Sequence, residues 1–318
     1  HELTVPTVPL QVEIETVGQV PQPKTADKGP FLERRWRVDE SPPAPEEPDA
    51  PNPREFLPSV RIGWGITLDE TLLRYVDAAS EETPIDPRLV KIARDIVKGI
   101  SKKDDKARAI YKYVGDTIQD QQETDGRRTI TGRAGSRQSA FFYLIRLLDM
   151  KVELALVKSR IAMPPIGKMS EVEGYDNVVT RLELQTKSGP VERWLTVRDK
   201  FAPFGYVPAD LRGQPAIRLV PGTPRATTPA LGDADGVILD GKAYLKEDGS
   251  ASVEITQSYV GRMGVALRSL FDRVAEAKRS EFVETRLLAN NLPGAHLREM
   301  KIENKDVLDQ PLVLKLKA

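Results

Sequence analysis

The chain has 318 residues and a mass of 35.4 kDa, enough for about two domains at ~150 residues each. Lysine plus arginine and aspartate plus glutamate both count 47, so no global basic field exists to hold nucleic acid, and no apolar run approaches the ~20 residues that span a bilayer. There are no cysteines, which excludes disulfides, thiolate–zinc sites and a cysteine nucleophile; with His1 and His296 the only histidines, a His-based triad or multi-His metal site lacks its usual residue.

His1 stands where an initiating Met or a signal peptide would, so the sequence is expected to be a mature form or an excised piece. Residues 1–60 hold twelve of the 25 prolines. Pro42, Pro43, Pro45, Pro48, Pro51, Pro53 and Pro58 make 41–58 an expected extended linker, because proline fixes φ and removes a donor. Before it, Leu10–Val17 alternates apolar and polar residues, the period of a half-buried strand, and Phe31–Val38 offers a second. Residues 1–58 are therefore expected to be the end of a truncated N-terminal β-rich domain plus a linker.

From about 68 the period becomes helical. Leu68, Leu72, Leu73 and Val76 are expected on one face. Leu89, Ile92, Ala93, Ile96, Val97 and Ile100 follow Pro87, a good first-turn residue. Ala107, Ile110, Tyr113, Val114 and Ile118 follow Asp104 and Asp105, which suit the positive end of a helix dipole. Residues 121–135 read as a basic polar loop, and Ser136 then precedes a strongly apolar helix over 137–149. Strands are expected at Val152–Lys158, at Asn177–Leu184 and Val191–Val197 as a hairpin around Lys187-Ser188-Gly189, and at Ala216–Val220. Residues 221–234, with three prolines, read as a second linker. Beyond it, Gly236–Lys246 and Ala251–Val260 form a hairpin through Asp248-Gly249; a helix covers 262–288, and Leu297–Ile302 and Leu312–Lys317 are strands. The domains expected are 1–58, 59–222 and 223–318, and the class is α+β.

One set of motifs points to a family. Ala109-Ile110 with Tyr113-Val114 precedes the loop, and Ala134-Gly135-Ser136 opens the apolar helix. That helix leads into a strand after Leu147-Leu148. Tyr175-Asp176-Asn177 opens the next strand, Trp194-Leu195-Thr196 follows, and Pro203-Phe204-Gly205 with Pro208 closes the series. In this order and spacing the chain resembles bacterial transglutaminase-like proteins, whose papain-type core is flanked by β-rich domains. The family patterns are Gly-x-Cys at the helix start, aromatic-Asn-His on a strand, Trp-Leu-Asp-Pro-Thr, and Pro-Phe-Gly-x-x-Pro. The resemblance covers nearly the whole chain and implies a papain/transglutaminase-like core with a C-terminal α+β domain.

Carried over residue by residue, the resemblance puts Ser136 at the family's Cys, Asn177 at its His and Thr196 at its Asp. The family chemistry needs a thiolate at a helix N-terminus, a base to take its proton and a carboxylate to orient that base. Ser136 without a base is a weak nucleophile, Asn177 accepts no proton near neutral pH, and Thr196 carries no charge. A single engineered knockout would have left two of the three in place, so the pattern is that of a natural pseudoenzyme. Each residue also has a plain structural reading: Ser136 as a helix N-cap, Asn177 as a strand-start polar residue, Thr196 as a β-branched strand residue, and His296 as a loop residue after Pro293-Gly294. Asp176 and Asp199 are the other carboxylates near the motif; neither replaces the base.

Arg127, Arg128, Arg133 and Arg137 crowd the same stretch, as a solvated loop or as an anion or acidic-partner patch at the helix N-terminus. No Walker loop, dinucleotide fingerprint or EF-hand pattern is present, so no cofactor and no metal are expected. The functional expectation is a catalytically inactive binding or scaffolding module with a protein or peptide partner. The resemblance implies a periplasmic or cell-envelope setting. The alternative is a peptide or acyl hydrolase or transferase using Ser136.

Overall fold

The computed structural model describes residues 2–6, 12–40, 57–63, 68–80, 85–160, 174–186, 189–230 and 235–318, and the molecule is α+β. Most of the expected 41–58 linker, the Lys187-Ser188 turn and residues 231–234 lie outside the described residues. Five short strands come first: β1 (Glu2–Pro6), β2 (Glu13–Val17), β3 (Lys24–Asp27), β4 (Phe31–Arg35) and β5 (Ser59–Gly63). They form an antiparallel β1-β4-β3 sheet and a β2–β5 pair. Because β2 pairs with β5, a boundary at 58/59 would cut between two hydrogen-bonded strands.

A helical layer follows. In α1 (Leu68–Ser80), Leu72 and Val76 are buried but Leu73 is exposed, so the apolar face is narrower than the sequence pattern suggests. Asp86 caps α2 (Pro87–Ile96) by accepting the Arg88 N–H at 2.9 Å. In α3 (Lys103–Thr117) the buried tyrosine is Tyr111, with Tyr113 only partly covered. The stretch expected as a loop contains a further helix, α4 (Gly126–Gly132), because Asp125 accepts the backbone N–H groups of Arg127 and Arg128 and starts it. It lies between β6 (Gln119–Asp120) and β7 (Ala134–Gly135), a short parallel pair. Then α5 (Arg137–Arg146) runs through the core with Phe141, Leu144 and Ile145 fully buried, as its apolar sequence requires.

The strands β8 (Lys151–Val157), β9 (Asn177–Thr186), β10 (Gly189–Leu195), β11 (Pro215–Arg218) and β12 (Arg225–Thr227) form one antiparallel sheet in the order β10-β9-β8-β11-β12. Residues 225–227 thus complete this sheet; the expected linker and the expected boundary at 222 give way to an edge strand. One sheet face carries Leu182, Leu184 and Leu195 against the helices. The other carries Ala155, Val157, Val179 and Trp194, covered by Val207 and Leu211 from the irregular segment after β10.

The C-terminal part has the sheet order β13-β14-β16-β15, built from β13 (Gly236–Leu245), β14 (Ala251–Val260), β15 (Glu299–Glu303) and β16 (Leu312–Lys317). The expected single helix over 262–288 is broken: α6 (Arg262–Arg273) ends where Val274 turns extended, and α7 (Arg279–Val283) continues through a π-helical turn (Glu284–Leu288) into α8 (Ala289–Asn291). The break has a packing cause. Phe271, Val283 and Leu288 share one core with Leu312 and Leu314, and a straight helix of this length would carry them apart.

Candidate functional site

The start of α5 carries the Ala134-Gly135-Ser136 motif. Gly135 enters it at φ +139°, and a Cβ there would lie 2.4 Å from Thr129 Oγ1, so the chain needs glycine at this point. Ser136 follows as the N-cap. Its Oγ accepts the Ser139 N–H at 3.2 Å, and its own N–H donates to Glu123 O at 2.6 Å. This is the structural role read for Ser136 from the sequence. Among the described residues it is also the only side-chain hydrogen bond Ser136 makes, so no carboxylate or imidazole holds its proton.

Arg137, the next residue, bridges three elements. Its Nε donates to Ile118 O at the end of α3 at 2.8 Å, and its Nη1 donates to Arg198 O at 2.9 Å, two residues beyond Thr196. Beside it, Tyr111 donates its hydroxyl to Ala202 O at 2.9 Å and packs edge-on against Phe141 and Phe204. Burial first, and the nearby Asp199 charge second, push the Tyr111 phenol well above its ordinary pKa, so it stays neutral. Asp199 accepts the Phe201 N–H at 2.9 Å and shapes the turn.

The expected arginine patch is divided among separate tasks. Arg127 pairs with Asp125 at 3.1 Å, Arg128 lies 3.8 Å from Glu123, and Arg137 is held by carbonyls. Arg133 ends α4 in the left-handed conformation at φ +54°. Four like charges converging on one anion is therefore not the arrangement found.

Nor do Asn177 and Thr196 meet Ser136. Gln138, in the first turn of α5, donates to Thr180 Oγ1 at 3.2 Å, so the helix start lies over the β9 face of Thr180 and Leu182. Asn177 is three residues away and pairs with Val157, whose side chain belongs to the core on the opposite face. Strand alternation turns Asn177 away from α5. Its Nδ2 donates instead to Asp176 at 2.6 Å. Thr196 sits between Leu195 and Val197, both in the helix-side core, and alternates away from it; its backbone N–H donates to Tyr206 O at 3.0 Å. His296 is exposed in the C-terminal part, with Nδ1 3.2 Å from Glu284.

The far face of the five-stranded sheet carries an ionic cluster that the sequence motifs did not single out. Arg218 forks Glu153 with bonds of 2.7 and 2.8 Å, and Arg181 reaches Glu153 at 3.0 Å while also contacting Glu192 directly. Glu192 in turn accepts the Trp194 indole N–H at 3.3 Å. Burial alone would raise the Glu153 carboxyl, but the bond from Arg218 and the charges of both arginines outweigh it and hold the carboxyl below its ordinary range. The Arg181 bond lowers Glu192 likewise. The signal in the sequence was partial: Glu153 and Arg218 are flanked by apolar residues, Val152 and Leu154 in one case and Ile217 and Leu219 in the other, whereas Arg181 stands beside Thr180 in a strand that also carries Glu183.

Glu192 and Trp194 also line a cavity of about 850 Å³ between this face and the C-terminal sheet. Pro203, Phe204, Tyr206 and Tyr259 add apolar wall. Its cations are engaged: Arg108 with Asp309 at 2.7 Å, Arg212 with Asp235 at 3.1 Å, and buried Arg268 with four backbone carbonyls. Such a wall suits binding of an amphipathic surface; it offers no nucleophile–base pair. No group of three or more His, Cys, Asp or Glu placed to hold a metal occurs among the described residues.

No protein-family model matches the chain, and no curated protein matches it in sequence. Among solved structures it is similar to a "putative protease" from Parabacteroides distasonis ATCC 8503, with a TM-score of 0.51 and 12% sequence identity. The match covers 72% of this chain and 44% of that one, so this chain spans less than half of that protein's length. At this identity the likeness is one of fold.

Proposed function

We propose that the chain is a transglutaminase-like protein with a papain-type core that has lost its chemistry and acts as a binding or scaffolding module for a protein or peptide partner in a bacterial envelope assembly. The observation that carries the proposal is Arg137. Its guanidinium ties the α5 N-terminus to Ile118 O and to Arg198 O. Ser136, at the family's Cys position, spends its hydroxyl on capping α5 beside this arginine. The protease-like fold neighbour is compatible with this origin. The cavity beside Trp194 supplies the surface for a partner segment.

The alternative, Ser136 as the nucleophile of a hydrolase or transferase, rests on a hydroxyl at a helix end. That hydroxyl is an N-cap acceptor here, with no base in hydrogen-bond reach among the described residues. The test is incubation of the full chain with labelled peptide substrates, with and without amine acceptors. Neither cleavage nor crosslinking is expected. Turnover that disappears in Ser136→Ala would overturn the proposal.

A further inference from the structure

The strand β13 has an unusual edge. It is the terminal strand of its sheet, ten residues long, and pairs with β14 over all ten positions without a bulge. Nine of its ten residues are exposed, among them Val237, Ile238, Leu239, Tyr244 and Leu245. Proteins blunt such edges with short strands, proline, bulges or charge. The other sheet ends here follow that practice: β15 is five residues long and carries Glu299, Lys301 and Glu303; β12 has three residues; β10 begins Gly189-Pro190. β13 has neither proline nor bulge. Its internal charges are one acid and one base, Asp240 and Lys242, and neither makes an ion pair or side-chain hydrogen bond among the described residues.

We propose that β13 pairs edge to edge, antiparallel, with β13 of a second copy of this chain, joining two four-stranded sheets into one of eight strands about a two-fold axis at Gly241. The sequence of the strand argues for this occupant. With Gly241 opposite its own copy, Asp240 faces the partner's Lys242, and Lys242 faces the partner's Asp240. Ile238 faces the partner's Tyr244, and Val237 faces the partner's Leu245. Leu239 faces the partner's Ala243, so each charge meets its opposite and each apolar side chain meets an apolar one. A shift of the axis by one position in either direction sets Asp240 against Asp240 or Lys242 against Lys242. A slip that places odd residues opposite even ones breaks the common faces of the joined sheet. This inference is independent of the catalytic reading above.

The test is the solution mass of the full chain by light scattering and sedimentation, with a charge exchange. The wild type is expected to be a dimer at micromolar concentration. Asp240→Lys and Lys242→Asp each place like charges opposite one another twice, and each is expected to halve the mass. Mixing the two single variants restores both complementary contacts, so a heterodimer is expected; the double exchange Asp240→Lys/Lys242→Asp is expected to dimerise alone. This double variant also carries the test if a single variant fails to fold. In a chain without cysteine, Gly241→Cys should oxidise to a covalent dimer, while Leu245→Cys, which faces position 237, should not. A wild type that stays monomeric at all soluble concentrations would overturn the proposal, as when another chain covers the edge. A dimer whose mass neither charge variant changes would overturn it too.

Discussion

The five-stranded and four-stranded sheets are both antiparallel, yet they treat charge in opposite ways. The first is covered on both faces, so Glu153 and Arg181 lie inside and, with partly covered Arg218, must satisfy one another. The second is covered on one face only. Its charged side chains pair in water, Lys315 with Glu303 and Lys317 with Glu299 across strands and Lys301 with Glu303 along one. The comparison teaches that the same residue types have different consequences by enclosure. An enclosed charge deprived of its partner is left in a poor solvent, whereas an exposed one is rehydrated.

The largest effect should come from breaking the enclosed cluster. Glu153→Ala leaves Arg218 without its carboxylate and Arg181 with Glu192 as its remaining hydrogen-bonded acid, and should cost about 3 kcal/mol in denaturant unfolding. Replacing the three together, as Glu153→Leu/Arg181→Met/Arg218→Met, removes the enclosed charges and leaves Glu192, half exposed, to water, so it should recover most of that loss. A triple variant less stable than Glu153→Ala would show that the cluster contributes more than mutual satisfaction.

Acid should act through the same groups. Glu153 and Glu192 have lower pKa values folded than unfolded, so the stability they confer is complete above the unfolded glutamate value near ~4.3 and is lost as pH falls through the lower folded values. Thermal melts from pH 7 down to pH 2 should therefore show a fall beginning below about pH 5. In Glu153→Gln that acid limb should be shallower.

A smaller effect is expected at α5. Ser136→Ala removes the N-cap acceptor of the Ser139 N–H and should cost about 1 kcal/mol. Smallest of all is the exposed sheet: Lys315→Ala breaks a solvated pair with Glu303 and should leave the melting temperature unchanged within error. A clear drop there would break the contrast between the two sheets.

Local chemistry was legible in the sequence. The Ser136 cap, the apolar helix after it and the Asp248-Gly249 hairpin rest on signals within a few residues. What was not legible depends on partners far along the chain. The α4 helix is short and basic, and only the Asp125 cap announces it. The β12 strand looked like a linker because its prolines flank a pairing that β11 supplies. The break after α6 follows from one core having to receive Phe271, Val283 and Leu288. The site was misleading for a related reason. The motif spacing brings Asn177 and Thr196 near Ser136 in order along the chain, but the pleat of β9 and β10 decides which face they serve. Arg137 passed as one of four loop arginines, because nothing in sequence shows that Ile118 O and Arg198 O stand within its reach.

The central claim is that the start of α5 holds structure and performs no chemistry. The most direct measurement is intact-mass analysis of the full chain after exposure to a fluorophosphonate serine probe, with peptide mapping of any adduct. The account predicts no adduct on Ser136, because its Oγ serves as a cap acceptor and has no base to remove its proton. Stoichiometric labelling mapped to Ser136, and absent in Ser136→Ala, would contradict it.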